Sequence, residues 1–574
     1  MFPLDDAHSV KLRLEFVRRA KRLAVQYPLV AQETTLKTNQ NSWKTRAGIV
    51  GLTAAALGGC GSGSEGDSLP NVSDNISIQP IRACTMQGIG STLLTADAPV
   101  SILEVATGTT GSAASDKPYC LVKVKVDPQV NIWVSLPTTS WNGRFRAEGN
   151  GVYAGSSQLV PAVDSVRQGF AGATTDTGHT GFFLSGAFGM ESPGKPNTQL
   201  QNDFAHRSEH LMAVVGKQLV KAFYDQDPVR SYWYGCSTGG RQGLMMAQRY
   251  PADYDAILAG APAIHWDRFQ AYQIWPQVVM QAEAAGPLSA AKRELATQRA
   301  VSACDAADGV TDGVIRDPRS CTYDPTQDNQ ITRADCSSAD GTCLTPGEAT
   351  ALQKIWGGAR NTAGQLLWPG VERGADLTAL AGAEPFPIPI EQARYWVYFD
   401  PTWDWRTLNL ANYEAFFNKN AEMVGPVMAT DNPDISAFKQ RGGKLIMYHG
   451  WSDNLIMPQG TVRYYERVQQ TVSASGDFSR LYMVPGMNHC SGGAGPSEFG
   501  QRASGAVPME AKTDIFRALM AWSEKGVAPA DITASKIVNG AVTQTRPLCP
   551  HPQVAKYKGS GSTDNAANFT CSAP

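Results

Sequence analysis

Ser231-Tyr-Trp-Tyr-Gly-Cys-Ser-Thr-Gly-Gly-Arg-Gln-Gly243 is the stretch on which the reading of the whole chain turns. Ser231–Tyr234 is compact and apolar, as a buried strand is, and Gly240 to Tyr250 reads as a helix. Between them Gly235-Cys236-Ser237-Thr238-Gly239 puts a serine in a tight turn where strand and helix crowd together and only small neighbours fit. That pentapeptide alone is weak evidence. A strand before it and a helix with Gly243 and Ala247 after it make Ser237 a candidate nucleophile. The helix N-terminus would aim backbone N–H groups and a partial positive charge at a developing oxyanion.

Upstream, Cys120–Asp127 alternates apolar and polar residues at period two, and Asn131–Pro137 reads as its neighbouring strand. Arg144–Glu148 leads into the glycine-rich turn Gly149–Gly155, and Phe170–Asp176 is a further short apolar run. Phe204 to Tyr224 has helical spacing (Leu211, Val214, Val215, Leu219, Val220, Phe223), and Tyr254–Gly260 returns as a strand. Strand–helix–strand alternation predicts a mostly parallel sheet with crossover helices. From 263 to 442 the pattern becomes Trp-rich and loop-rich, and holds four cysteines. The sheet resumes at Lys444–His449 and Arg480–Pro485. The expectation is an α/β protein whose catalytic domain spans 81–262 and 443–574. A large lid domain, 263–442, would be inserted between late strands.

A nucleophilic serine needs a base. His489 follows the strand Leu481–Val484, in the place a catalytic histidine loop would take. His449, at the end of a buried strand, is its rival and reads better as a structural hydrogen-bonding residue. His179, His206, His210 and His265 precede the acid position. Asp453, after the strand Leu445–Tyr448, can hold the imidazole in one tautomer. Ser237, Asp453 and His489 then run in the chain order of the α/β-hydrolase fold. The oxyanion donors expected are the backbone N–H groups of Thr238 and Gly151, with Gly149 or Val152 as alternatives to Gly151.

Cys304–Pro318 crowds Asp305, Asp308 and Asp312 into eight residues, with intervening glycines. Hard calcium takes six or more oxygens at flexible geometry. Three carboxylates and the carbonyls of Val310 and Val314 would supply most of them, so this loop is the candidate structural Ca2+ site. No organic cofactor is expected.

The bulk numbers limit the function classes. A chain of 574 residues exceeds one ordinary domain. Its 50 Lys plus Arg against 52 Asp plus Glu leave no basic surface for nucleic acid. Ala47–Leu57 is too short to span a bilayer but suits the apolar core of an export signal. Leu57-Gly-Gly-Cys60 resembles a bacterial lipobox, with Cys60 as the lipidated residue. The expected organisation is therefore a leader over 1–60 and a Gly/Ser/Asp-rich tether over 61–80. The protein would be exported: periplasmic, anchored to the outer membrane, or secreted. Of eleven cysteines, removing Cys60 leaves ten, an even number that fits five disulfides in an oxidising compartment.

Together, Trp141–Phe145, Gly235–Gly243, Ala259–Pro262, Cys304–Ile315, Phe399–Trp405, His449–Asp453 and Asn488–Cys490 resemble the tannase/feruloyl esterase family of secreted α/β-hydrolases. The resemblance runs from about residue 80 to the C-terminus. It implies a Ser-Asp-His triad, a structural calcium in the lid, and a disulfide joining Cys236 to Cys490. The remaining cysteines then pair most simply as neighbours: Cys84–Cys120, Cys304–Cys321, Cys336–Cys343 and Cys549–Cys571. The implied substrates are small esters of aromatic acids such as gallate or ferulate. Hydrolases of mono(2-hydroxyethyl) terephthalate in this group carry Glu after the nucleophile, whereas this chain has Thr238, as feruloyl esterases do. Val152 stands where glycine is expected. In the lid, Arg394 and Trp396 are the candidate substrate contacts, with Trp403 and Trp405 as further aromatics, although the Trp-Asp-Trp segment also reads as lid core. A mono(2-hydroxyethyl) terephthalate hydrolase-like esterase is the alternative reading, followed by a serine peptidase on the same fold and a catalytically inactive binding protein.

Overall fold

The computed structural model describes residues 76–113, 115–155, 162–501 and 507–574. Cys60, the leader and most of the expected tether lie outside the described residues. Among those described, nine strands form one sheet: β1 (Val100–Thr109), β2 (Pro118–Val126), β3 (Val130–Pro137), β4 (Arg144–Glu148), β5 (Ala171–Thr175), β6 (Arg230–Cys236), β7 (Ala256–Gly260), β8 (Lys444–Gly450) and β9 (Ser479–Val484). Their spatial order is β1-β2-β3-β5-β4-β6-β7-β8-β9. The first three and the β3–β5 pair are antiparallel, and β5 through β9 pair in parallel. Parallel neighbours need crossovers, which α1 (Ser208–Tyr224), α2 (Thr238–Arg249) and α3 (Pro458–Thr471) provide, while α4 (Ile515–Lys525) follows β9.

Period-two alternation divides the core between the two faces of the sheet. Trp233, Ile257 and Leu445 pack with Leu211, Leu244 and Val468 of α1–α3 on one side. Their chain neighbours Tyr232, Leu258 and Ile446 pack with Phe516, Leu519 and Met520 of α4 on the other. Burying each such side chain contributes about 1.5–3 kcal/mol, so the central strands anchor what their ends carry.

Residues 261–443 intervene between β7 and β8, which are direct parallel neighbours in the sheet. This insertion has mainly helical regular structure, with Trp266–Tyr272, Trp275–Glu283, Ala290–Cys304, Pro346–Trp356 and Tyr413–Met428, joined by long loops. It packs on the loops at the carboxyl ends of the strands. The Tyr153 hydroxyl donates to the Ile388 carbonyl at 3.2 Å, the Gly186 N–H to Glu391 at 3.1 Å, and the Gln273 amide to the Leu455 carbonyl at 2.8 Å. All five expected disulfides are formed: Cys84–Cys120, Cys236–Cys490, Cys304–Cys321, Cys336–Cys343 and Cys549–Cys571. No helix among the described residues is long and apolar enough to cross a membrane.

Candidate active site

Ser237 joins β6 to α2 with φ 62° and ψ −124°, a backbone conformation that costs a non-glycine residue on the order of 1–3 kcal/mol. The turn is held from both sides. Its N–H donates to the Gly260 carbonyl at 3.0 Å, and its carbonyl accepts from Arg241 at 3.1 Å and Ala263 at 3.2 Å. A Cβ on Gly235 would lie 2.6 Å from the Gly239 carbonyl carbon, so a larger residue would force strand and helix apart. The serine thus stands at the carboxyl end of a central strand and at the N-terminus of a twelve-residue helix.

Two further loops meet there. After β8, Asp453 is fully buried, and its Oδ1 accepts the backbone N–H groups of Leu455 at 2.8 Å and Ile456 at 2.9 Å. Its Oδ2 lies 2.8 Å from His489 Nδ1 and 2.9 Å from His449 Nε2. Burial alone would raise the Asp453 carboxyl, but the charge of His489 and the hydrogen bonds from both imidazoles outweigh it and hold the group well below the usual carboxylate range. The histidine loop leans on the acid loop through Ser452 N–H to Met487 O at 3.0 Å. A Cβ on Gly450 would collide with that same Met487 carbonyl. The Cys236–Cys490 disulfide, with a Cα separation of 6.0 Å, ties the residue before Ser237 to the residue after His489. His206 and His210 are engaged elsewhere, with the Tyr250 hydroxyl at 2.9 Å and with Asp253 at 2.7 Å.

The glycine-rich turn after β4 lies against α2. Thr238 Oγ1 donates to the Val152 carbonyl at 2.8 Å. The Gly149 N–H is spent on the Tyr234 carbonyl at 2.9 Å, which removes Gly149 as an alternative oxyanion donor. The Asn150 N–H is likewise spent, on Gln242 Oε1 at 2.9 Å. Val152 takes φ 44°, the left-handed conformation that glycine would adopt without strain. Gln242 also donates to Asn150 Oδ1 at 3.2 Å and to Glu209, so one buried network fixes this turn against α2. Burial raises the Glu209 carboxyl to about 7 despite the nearby Arg241. The sequence reading passed over Gln242 and Glu209. Both sit inside helices, where a buried polar residue carries no spacing signal.

Asp308, Val310, Asp312 and Val314, four of the five expected calcium ligands, line one cavity. Burial raises both carboxyls, and each also feels the charge of Asp305, a crowding that suits a hard cation. Asp305 itself caps the loop, accepting N–H groups from Asp312 at 3.2 Å, Gly313 at 2.9 Å and Val314 at 3.3 Å. Arg546 meets Asp312 at 2.6 Å, and Arg316 stands 3.7 Å from Asp308. Among the described residues, the group of acidic, cysteine and histidine side chains whose ligand atoms all lie within 4.8 Å of one another is not this loop but Cys336, Asp340 and Cys343, whose sulfurs are joined in a disulfide.

Trp396 and Arg394, the candidate substrate contacts, lie in the insertion. Trp396 is 2% exposed, its indole N–H donates to Gly186 O at 2.9 Å, and Tyr153, Phe188 and Phe204 surround it. Arg394, half-buried on the turn Ala393–Val397, donates through Nε to the Trp403 carbonyl at 3.1 Å. Trp403 stacks between Tyr398 and Phe416, and Trp405 is buried.

A family model described as tannase and feruloyl esterase matches residues 119–572. A probable feruloyl esterase of Arthroderma benhamiae is 35% identical over 457 residues, covering 77% of this chain and 82% of the relative. An uncharacterized esterase of Xanthomonas campestris is 31% identical over 550 residues, covering 85% and 94%. The crystal structure of feruloyl esterase B from Aspergillus oryzae matches with a TM-score of 0.74 at 28% identity, covering 82% of this chain and 97% of that one. A tannin acyl hydrolase from Aspergillus niger shares the fold, with a TM-score of 0.71 at 21% identity over 86% of this chain and 96% of that one. The chain belongs to the tannase and feruloyl esterase family and is a carboxylic ester hydrolase built on the α/β-hydrolase fold.

Proposed function

We propose that the protein hydrolyses esters of aromatic carboxylic acids, of the feruloyl or galloyl kind, with Ser237 as nucleophile, His489 as general base and Asp453 as the acid that orients it. The observation that carries this reading is the 2.8 Å contact from His489 Nδ1 to Asp453, with the histidine's loop joined by disulfide to the strand end that presents Ser237. Asp453 can only accept, so His489 Nδ1 carries the hydrogen and Nε2 is left to take a proton. Ser237 Oγ attacks the ester carbonyl as its proton passes to Nε2. The N–H of Thr238, together with that of Gly151 or Val152, receives the negative charge on the carbonyl oxygen. The same imidazole returns the proton to the departing alcohol, and then activates the water that cleaves the acyl-Ser237 ester. Support for an aromatic acyl group comes from the feruloyl esterases among the relatives and from Thr238 after the nucleophile.

The reading includes a structural calcium bound by Asp308, Asp312 and the carbonyls of Val310 and Val314, with Asp305 bracing or joining the set. Bound there, the ion would neutralise crowded carboxylates and rigidify the lid. It also includes export with lipid attached at Cys60, in keeping with five disulfides and the lipobox-like Leu57–Cys60. Mass spectrometry of protein from a bacterial host should then find residues 1–59 missing. Initial rates on methyl ferulate, methyl gallate and a matched peptide test the substrate class. Turnover of an aromatic ester is expected, and cleavage of the peptide alone would overturn the proposal.

A further inference from the structure

We propose that His449 is a positioning residue for this reaction: it locks the Asp453 carboxylate in place and takes up part of the charge that His489 would otherwise receive. The inference rests on the Ser237–His489–Asp453 reading and extends it to a second imidazole on the same acid.

His449 is fully buried, one residue before the end of β8. Its Nε2 lies 2.9 Å from Asp453 Oδ2 and 3.1 Å from the Ile456 carbonyl oxygen. Both neighbours are acceptors, so Nε2 carries the hydrogen. Nδ1 is 2.8 Å from Thr461 Oγ1 on α3, a hydroxyl able to donate. The partners therefore assign one tautomer, and it points an N–H at the acid.

Four donors converge on one carboxylate: two backbone N–H groups on Oδ1, and the two imidazoles on Oδ2. The backbone pair and His449 fix its rotation without help from His489. Because His449 shares Oδ2, the acid attracts the protonated form of His489 less strongly than an unshared carboxylate would. A base that must release its proton to the leaving alcohol gains from that restraint.

The ionisable groups touching Asp453 are the two imidazoles. Further out, the elements packed around the acid loop carry His265, 3.3 Å from Asp431, then Asp267 and Arg268 on the helix Trp266–Tyr272, and Glu372, joined to Gln459 at 2.7 Å. Among the described residues the hydrogen-bond partners of Oδ2, where the proposed competition occurs, are the two imidazoles.

The test is the rate of Ser237 labelling by a fluorophosphonate from pH 4 to 9, which requires no knowledge of the natural ester. In His449→Phe the acid-limb midpoint should move to higher pH by roughly half a unit to one unit, with labelling at pH 7 slowed on the order of tenfold or more. His449→Gln, whose amide N–H can reach the same oxygen, should restore the midpoint and most of the rate. Thr461→Val, nearly isosteric, should shift the midpoint in the same direction by less. A His449→Phe midpoint coincident with that of the parent would overturn the proposal, as would a His449→Gln variant no better than Phe. Should His449→Phe not fold, an unmoved Thr461→Val midpoint would overturn it. Failure of the parent protein to label at Ser237 would instead refute the underlying triad reading.

Discussion

The acid loop after β8 and the aspartate-rich loop Cys304–Ile315 both gather acidic groups, and they stabilise them by opposite means. Asp453 is ringed by donors at the end of a central strand, four hydrogen bonds that hold it ionised although fully buried. Asp308 and Asp312 sit in a loop instead, and burial with repulsion from Asp305 raises both. The first loop is complete from protein atoms alone, whereas Asp308 and Asp312 of the second line a cavity beside Arg316 and Arg546. The difference teaches that damage to the first should show in turnover, and damage to the second in stability.

The largest effect should come from the triad itself. Ser237→Ala or His489→Ala should lower kcat by about 10⁶-fold while the melting temperature stays near that of the parent. Asp453→Asn should cost about 10⁴-fold, because the amide permits the wrong imidazole tautomer. It should also change acid stability with a definite sign. A carboxyl held below its unfolded value stabilises the fold above about pH 4, and that stability is lost as pH falls through the folded value. Melting temperatures between pH 2.5 and 6 should therefore fall more steeply for the parent than for Asp453→Asn.

Removing the clamp comes next. Cys236→Ser with Cys490→Ser should lower kcat by roughly a hundredfold, since small displacements of a base are that costly. The loop it closes spans 254 residues, for which chain entropy gives on the order of 5 kcal/mol before the other four disulfides reduce the figure. Unchanged kcat in folded double mutant would show that the two loops align without it.

The smallest effect on turnover belongs to the other region. Excess chelator should lower the melting temperature by about 2–4 °C per kcal/mol of lost binding energy, and added calcium should restore it. In Asp308→Ala the melting curve should no longer respond to calcium. If chelation abolished kcat with the melting curve unmoved, the contrast between the two loops would fail.

Local chemistry made much of the site legible in the sequence. A strained serine turn leaves a run of small residues, and β2 through β9 announce themselves by alternation or by short apolar runs. The edge strand β1 was missed, because with both faces half exposed Val100–Thr109 offers no clean alternation. The C-terminal hairpin Ile532–Val538 with Ala541–Leu548 was also missed, although Asn539-Gly540, at φ 51° and 80°, is a strong hairpin signal. The pairing of His449 with Asp453, and of Gln242 with the Gly149–Val152 turn, depends on elements that meet only after folding. The neighbours of Trp396 are illegible for the same reason: a tryptophan in such an insertion reads alike in sequence whatever it packs on, here Phe188 and Phe204.

The central claim is that Ser237 carries the acyl group, and trapping that ester tests it most directly. Protein quenched milliseconds after mixing with methyl ferulate should show, by peptide mass spectrometry, a feruloyl adduct on the peptide containing Ser237, absent in Ser237→Ala. Hydrolysis that persists in Ser237→Ala, or an adduct mapped to another residue, would contradict it.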